Sequence, residues 1–157
     1  GGTTRKIRRY VAMRRTIKCT VPGCAMEHPE MLSTRDALQQ MIIDWARETF
    51  GQVALAPEER ARRFLEEAVE LVQAQGVPKE HITAIVEHVY NKPPGDVFQE
   101  VGGCSVTLLA YCAAVGLSAE AEEIREFKRC LSIDRDFFRK KHKLKVDAGI
   151  AVGDENK

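Results

Sequence analysis

From Ser33 onward apolar residues recur every three or four positions, and Gly and Pro break the repeat at intervals. This spacing predicts amphipathic helices, because residues three and four apart share one helical face. The stretch "STRDALQQMIIDWARETFG" offers Ser33 or Thr34 as an N-cap and repeats apolar residues at Leu38, Met41, Ile42, Trp45 and Phe50. Gly51 then stops it. A second helix is expected over Pro57–Gln75, with Pro57 in the first turn and Gly76 as the stop. A third covers Lys79–Asn91 and ends before Pro93 and Pro94. A fourth runs from Asp96 to Val115, and a fifth from Ser118 to Lys141, opened by the cap and acidic first turn of "SAEAEE". No segment alternates with the period of two that a strand requires. The predicted class is all-α, a bundle of four or five helices joined by short loops.

The segments outside that pattern set the domain limits. Residues 1–31 read as a basic, turn-rich extension, 32–142 as the helical domain and 143–157 as a C-terminal tail. The 157 residues suffice for one domain with its own core, and the composition, 44% hydrophobic and 30% charged, is that of a globular protein. No run approaches the ~18 consecutive apolar residues of a membrane span. The basic N-terminus is not followed by the apolar stretch of a signal peptide. The cytoplasm is therefore the expected compartment, with Cys104, Cys112 and Cys130 as buried thiols on helical patterns.

The net charge of +1 hides an asymmetry: residues 1–18 hold seven Arg and Lys and no acid, which leaves the remainder at −6. An acidic body with a short basic arm is not built to bind nucleic acid.

The second and fourth helices carry the candidate chemistry. Phe64, Leu65, Ala68, Val69, Leu71 and Val72 define the expected buried arc of "FLEEAVELV". Glu66 and Glu70 fall off that arc, and Glu67 lies at its edge, about 60° from Glu70 at helical pitch. Glu67 and Glu70 are i,i+3 neighbours whose carboxylates can converge. In "QEVGGCSVTLLAYCAAV" the seam is Val101, Cys104, Leu108, Tyr111 and Val115, and Glu100 abuts its start. Glu is also a strong helix former, and many such strings are only solvated faces. Like charges at this spacing repel, however, unless a cation lies between them. Carboxylate oxygens are the donors that Mg²⁺ prefers.

Together "RFLEEAVELVQAQG" and "VYNKPPGDVFQEVGGCSVTLLAYCAAVGL" resemble the all-α nucleoside triphosphate pyrophosphohydrolases of the MazG-like superfamily, relatives of phosphoribosyl-ATP pyrophosphatase and the dimeric dUTPases. The resemblance covers residues 33–130, most specifically 60–116. It implies a MazG-like bundle assembled as a homodimer or a dimer of dimers. The family pattern is EExxE on one helix and ExxD on another, which hold Mg²⁺ (or Mn²⁺) on the triphosphate. Here the first half falls on Glu66, Glu67 and Glu70. The second falls on Glu100, with Gly103 where the aspartate is expected.

The implied reaction is hydrolysis of a (d)NTP to (d)NMP and pyrophosphate. Glu67, Glu70 and Glu100 are the implied metal ligands, and Glu66 is a further ligand or base. Lys92 and Arg63 are candidates for the phosphates, as is "RKKHKLK" (Arg139–Lys145). Gly103 leaves three readings: a metal with more water in its shell, substitution by Asp96 or Glu87, or a nucleotide- or protein-binding module with little catalysis.

Other signals weigh less. Cys19, Cys24 and His28, with Glu27 or Glu30, do not have a usual zinc spacing. His81 and His88 are lone helical histidines. Trp45 and Phe50 suit a core or an interface.

Overall fold

The computed structural model describes residues 34–153 together with two short strands. The chain divides into two compact units, residues 1–44 and 45–157. In the first, β1 (Thr16–Lys18) pairs antiparallel with β2 (Glu27–Pro29), Ile17 opposite His28. Cys19 and Cys24, weighed as zinc ligands and discounted, lie outside the described residues. Helix α1 (Thr34–Phe50) begins in this unit and ends in the second.

The second unit is helical, as the periodicity predicts. A 3₁₀ turn at Gln52–Leu55 leads into α2 (Pro57–Ala74), followed by α3 (Lys79–Tyr90) and α4 (Val97–Ala114). The expected fifth helix is two: α5 (Ala119–Ser132) and α6 (Arg135–Asp147). No Gly or Pro marks the break. Ser132 donates its hydroxyl to the Arg129 carbonyl at 2.7 Å, drawing the last turn of α5 onto its own side chain. Ile133 is extended, and Asp134 accepts the Asp136 amide at 2.7 Å to start the next helix. Residues 143–147, expected in a tail, are the last turns of α6.

Helix α6 ends in a Schellman turn at Gly149 (φ 72°), with Gly149 N–H on the Val146 carbonyl and Ile150 N–H on that of Lys145, both 2.9 Å. The left-handed residue lets the chain leave the helix, and residues 150–153 reach α2. Glu59 of α2 accepts the Val152 amide at 2.7 Å.

The core of this unit is small and aromatic. Trp45 sits edge-on to Phe50, Phe127 and Phe138 at centroid distances of 5.9, 6.5 and 5.2 Å. This arrangement suits the ring quadrupoles and places Trp45 and Phe50 in the core. Phe127, Val53, Ala54 and Cys112 are buried, whereas Cys130 is half-buried and Cys104 exposed.

The expected apolar arcs stand open. Phe64 and Leu65 are 55% and 58% exposed, while Glu59 on the same helix is 0% exposed. Helix α2 thus turns acidic side chains toward α6 and leaves apolar ones uncovered, the reverse of the amphipathic rule. Ile85, Val89 and Tyr90 of α3 and Val101, Val106 and Leu109 of α4 are also exposed. By length and composition α4 is apolar enough to cross a membrane, although no run of that kind is continuous in its sequence.

Candidate acidic site on helix α2

Three carboxylates, Glu66, Glu67 and Glu70, follow one another along α2, and the fold treats them differently. Glu66 is neutralised twice: Arg63 pairs with its Oε2, and Lys145 Nζ of α6 lies 2.9 Å from its Oε1. Its side chain is only 21% exposed. Arg62 reaches the same strap of chain, bonding Glu58 at 2.6 Å and the Gly149 carbonyl at 3.4 Å. Ile150 lines an open groove of about 360 Å³ together with Leu65, Val69, Glu66 and Glu70.

Glu67 and Glu70 are exposed and form no ion pair among the described residues. Glu67 nevertheless faces α5. Its charge helps to hold the Arg129 guanidinium above its ordinary value, an effect led by the hydrogen bond from Arg129 to Glu126. Glu126 takes both Arg129 Nε and Nη2, at 2.8 and 2.5 Å, and that bond keeps its own carboxyl low. Beside them the Cys130 thiol is pushed up, first by burial and then by the Glu126 carboxylate, so it is a poor nucleophile.

Glu100, in the first turn of α4, folds its carboxylate back over Gly95, filling the space that a side chain there would need. It has no ion-pair partner among the described residues. Asp96, one of the substitutes considered for the missing aspartate, is committed elsewhere: it caps α4 by accepting the Phe98 amide at 3.0 Å. Gly103 is open, and a Cβ there would meet no atom within 4 Å. Among the described residues no three His, Cys, Asp or Glu side chains are grouped closely enough to hold a metal ion. One chain therefore sets Glu66, Glu67 and Glu70 along one helix but gathers neither these three nor Glu100 into a metal-holding group.

The candidate phosphate cations divide in the same way. Arg63 is engaged by Glu66, whereas Lys92 is exposed and unpaired in the loop ahead of α4. Of "RKKHKLK" only Lys145 turns to the glutamates. His81 and His88 are exposed on α3.

Sequence reasoning passed over Glu59, the most buried charged residue among those described. Its Oε1 lies 3.4 Å from Arg60 Nη2 and 3.7 Å from His142 Nδ1. Burial lowers the pKa of Arg60, an effect that the Glu59 charge opposes. The available signal was the seven-residue step from Glu59 to Glu66, which sets both on one stripe of α2.

No protein-family model, no curated protein and no solved structure matches the chain.

Replacing Glu59 by Leu removes the acceptor for Val152 and the charge between Arg60 and His142. Hydrogen bonds to charged groups are worth about 1.5–3 kcal/mol, so urea unfolding should show a loss of about that size. Exchange of the Val152 amide should quicken. An unchanged midpoint with unchanged exchange would contradict the anchoring role of Glu59.

Proposed function

We propose that the protein is a Mg²⁺-dependent nucleotide pyrophosphohydrolase that cleaves a (d)NTP to the (d)NMP and pyrophosphate, and that it works as a homo-oligomer. The observation that carries this reading is the contrast within α2. Glu66 has two cationic partners in ion pairs, while Glu67 and Glu70, one turn apart, form none among the described residues, and Arg129, which feels the charge of Glu67, is already bonded to Glu126. Two adjacent carboxylates left unpaired repel each other, and a divalent cation relieves that repulsion. The pair suits Mg²⁺, which takes one or two carboxylates, keeps several waters and completes its shell with substrate phosphates.

Glu67 and Glu70 would hold the ion, with Glu100 as a third ligand, and a bound Mg²⁺ would supply charge neutralisation at the phosphates and a water of lowered pKa. Glu66, fixed between Arg63 and Lys145, is placed to orient that water. Lys92 is free to pair with the phosphates, and Arg63 would have to release Glu66 to do so. Mn²⁺ offers the same coordination. The reading also accords with the sequence resemblance, and it leaves Gly103 as a position where water replaces a ligand.

Assembly follows from the uncovered faces. Exposed contiguous apolar surface on a protein marks a surface that something covers. The apolar faces of α2, α3 and α4 suit a second copy of the chain, as a dimer or a dimer of dimers. A second reading, a nucleotide- or protein-binding module with weak or no catalysis, draws on Gly103 and on the separation of Glu100 from the α2 carboxylates.

The deciding assay is pyrophosphate release from a panel of NTPs and dNTPs with Mg²⁺, with Mn²⁺ and with EDTA. Release should require the metal, and Glu70→Ala should lower it by about 100-fold or more. Silence from the folded protein would leave the binding module, and metal-independent release would remove the metal site. In sedimentation the wild type should run as a dimer or tetramer, and Leu109→Glu should shift it toward monomer. A wild type that is already monomeric would remove the assembly.

A further inference from the structure

Glu59 and Glu66 stand about two helical turns apart on α2, and both carboxylates face α6. Their partners there are also near neighbours. His142 Nδ1 lies 3.7 Å from Glu59 Oε1, and Lys145 Nζ lies 2.9 Å from Glu66 Oε1. The other oxygen of Glu59 accepts the Val152 amide at 2.7 Å. Residues 142 and 152 therefore meet at one carboxylate, and Lys145 sits on the segment between them.

That segment is tied together at Lys145 itself. The Lys145 carbonyl accepts the amides of Ile150 and Ala151, at 2.9 and 3.2 Å, and Ala151 is buried. Arg62 adds a longer bond to the Gly149 carbonyl, at 3.4 Å. A continuous run of contacts thus leads from Glu59 through the returning chain and the Lys145 backbone to the Lys145 ammonium and Glu66.

The last contact of the run is the weak one. The Lys145 side chain is 27% exposed. An ion pair open to water gains little, and forming it takes rotamer freedom from a long side chain. Lys145 therefore stays on Glu66 only where the backbone beneath it is already fixed, and Glu59 fixes it from both sides. Arg63, the other cation on Glu66, lies three residues away on α2 itself. Of the two, only Lys145 comes from another element and orients the carboxylate relative to α6.

We infer that Glu59 is a positioning residue for Glu66: it clasps residues 142–152 and so holds the Lys145 ammonium on the Glu66 carboxylate. This role presupposes the hydrolase reading, in which Glu66 orients the attacking water. Displacing that carboxylate by roughly an ångström slows the chemical step and leaves substrate affinity alone.

Two readouts on the full chain test the role, with each variant shown to be folded by circular dichroism. The first is the ¹⁵N signal of the Lys145 ammonium in nucleotide-free protein, assigned with Lys145→Met. Glu66→Gln should move it toward the position of a free lysine, and Glu59→Leu should do the same. Glu59→Gln, whose amide oxygen can still accept from Val152, should leave it near wild type. The second readout is pyrophosphate release with Mg²⁺. Glu59→Leu should lower kcat about three- to tenfold with KM within about twofold, and Glu59→Gln should restore most of the rate. Because Glu59 acts through Lys145, adding Glu59→Leu to Lys145→Met should lose no further rate. An ammonium signal indifferent to Glu59→Leu would overturn the clasp. Additive losses in the double variant would overturn the positioning role and leave Glu59 as a residue that only stabilises the fold. A wild type that releases no pyrophosphate would remove the hydrolase reading and this role with it. The ammonium signal would still report the clasp in that case, so the two failures are told apart.

Discussion

The helical unit is organised around a carboxylate with no exposure to water. Glu59 of α2 faces α6 and the returning chain, accepting from Arg60 Nη2 and the Val152 amide and lying 3.7 Å from His142 Nδ1. A buried charge is tolerated only when it is paired and hydrogen-bonded. The cost of leaving Glu59 unmet therefore fixes α6 and residues 150–153 against this one side of α2. Lys145 and Arg62 lie further along the same contact and extend it to Glu66 and the Gly149 carbonyl.

The remaining features follow from that polar contact. With its acidic stripe turned toward α6, α2 cannot also bury Phe64 and Leu65 there, and they face outward with α3 and α4. The same geometry sorts the glutamates. Those within reach of α6 acquire cations, and those a little further around the helix, Glu67 and Glu70, do not. Paired and unpaired carboxylates on one helix are thus separated by which of them α6 and the chain after it can reach.

The sequence made the helices legible wherever Gly or Pro punctuated them. Pro57, Gly76, the Pro93–Pro94 pair and Gly116 mark ends that the structure reproduces within a residue or two. The break at Ile133 was not legible from the same signals, because a serine hydroxyl and an aspartate cap produce it. Helical periodicity located the apolar arcs but not what covers them. An arc reads identically whether it packs on its own chain or on another surface, so the exposure of Phe64 and Val101 had no sequence signature. Glu66, Glu67 and Glu70 could be placed on one helix from their spacing. The relation of Glu100 to them depends on how α4 is packed, and spacing along the chain does not encode that.

The central claim is that the carboxylates left unpaired on α2 hold a divalent cation, and calorimetric titration of Mg²⁺ into the nucleotide-free protein tests it directly. The account predicts saturable binding that Glu67→Gln and Glu70→Gln each weaken severely, with Glu66→Gln weakening it less, because Arg63 and Lys145 already occupy Glu66. Absence of binding, or binding indifferent to Glu67 and Glu70, would contradict it.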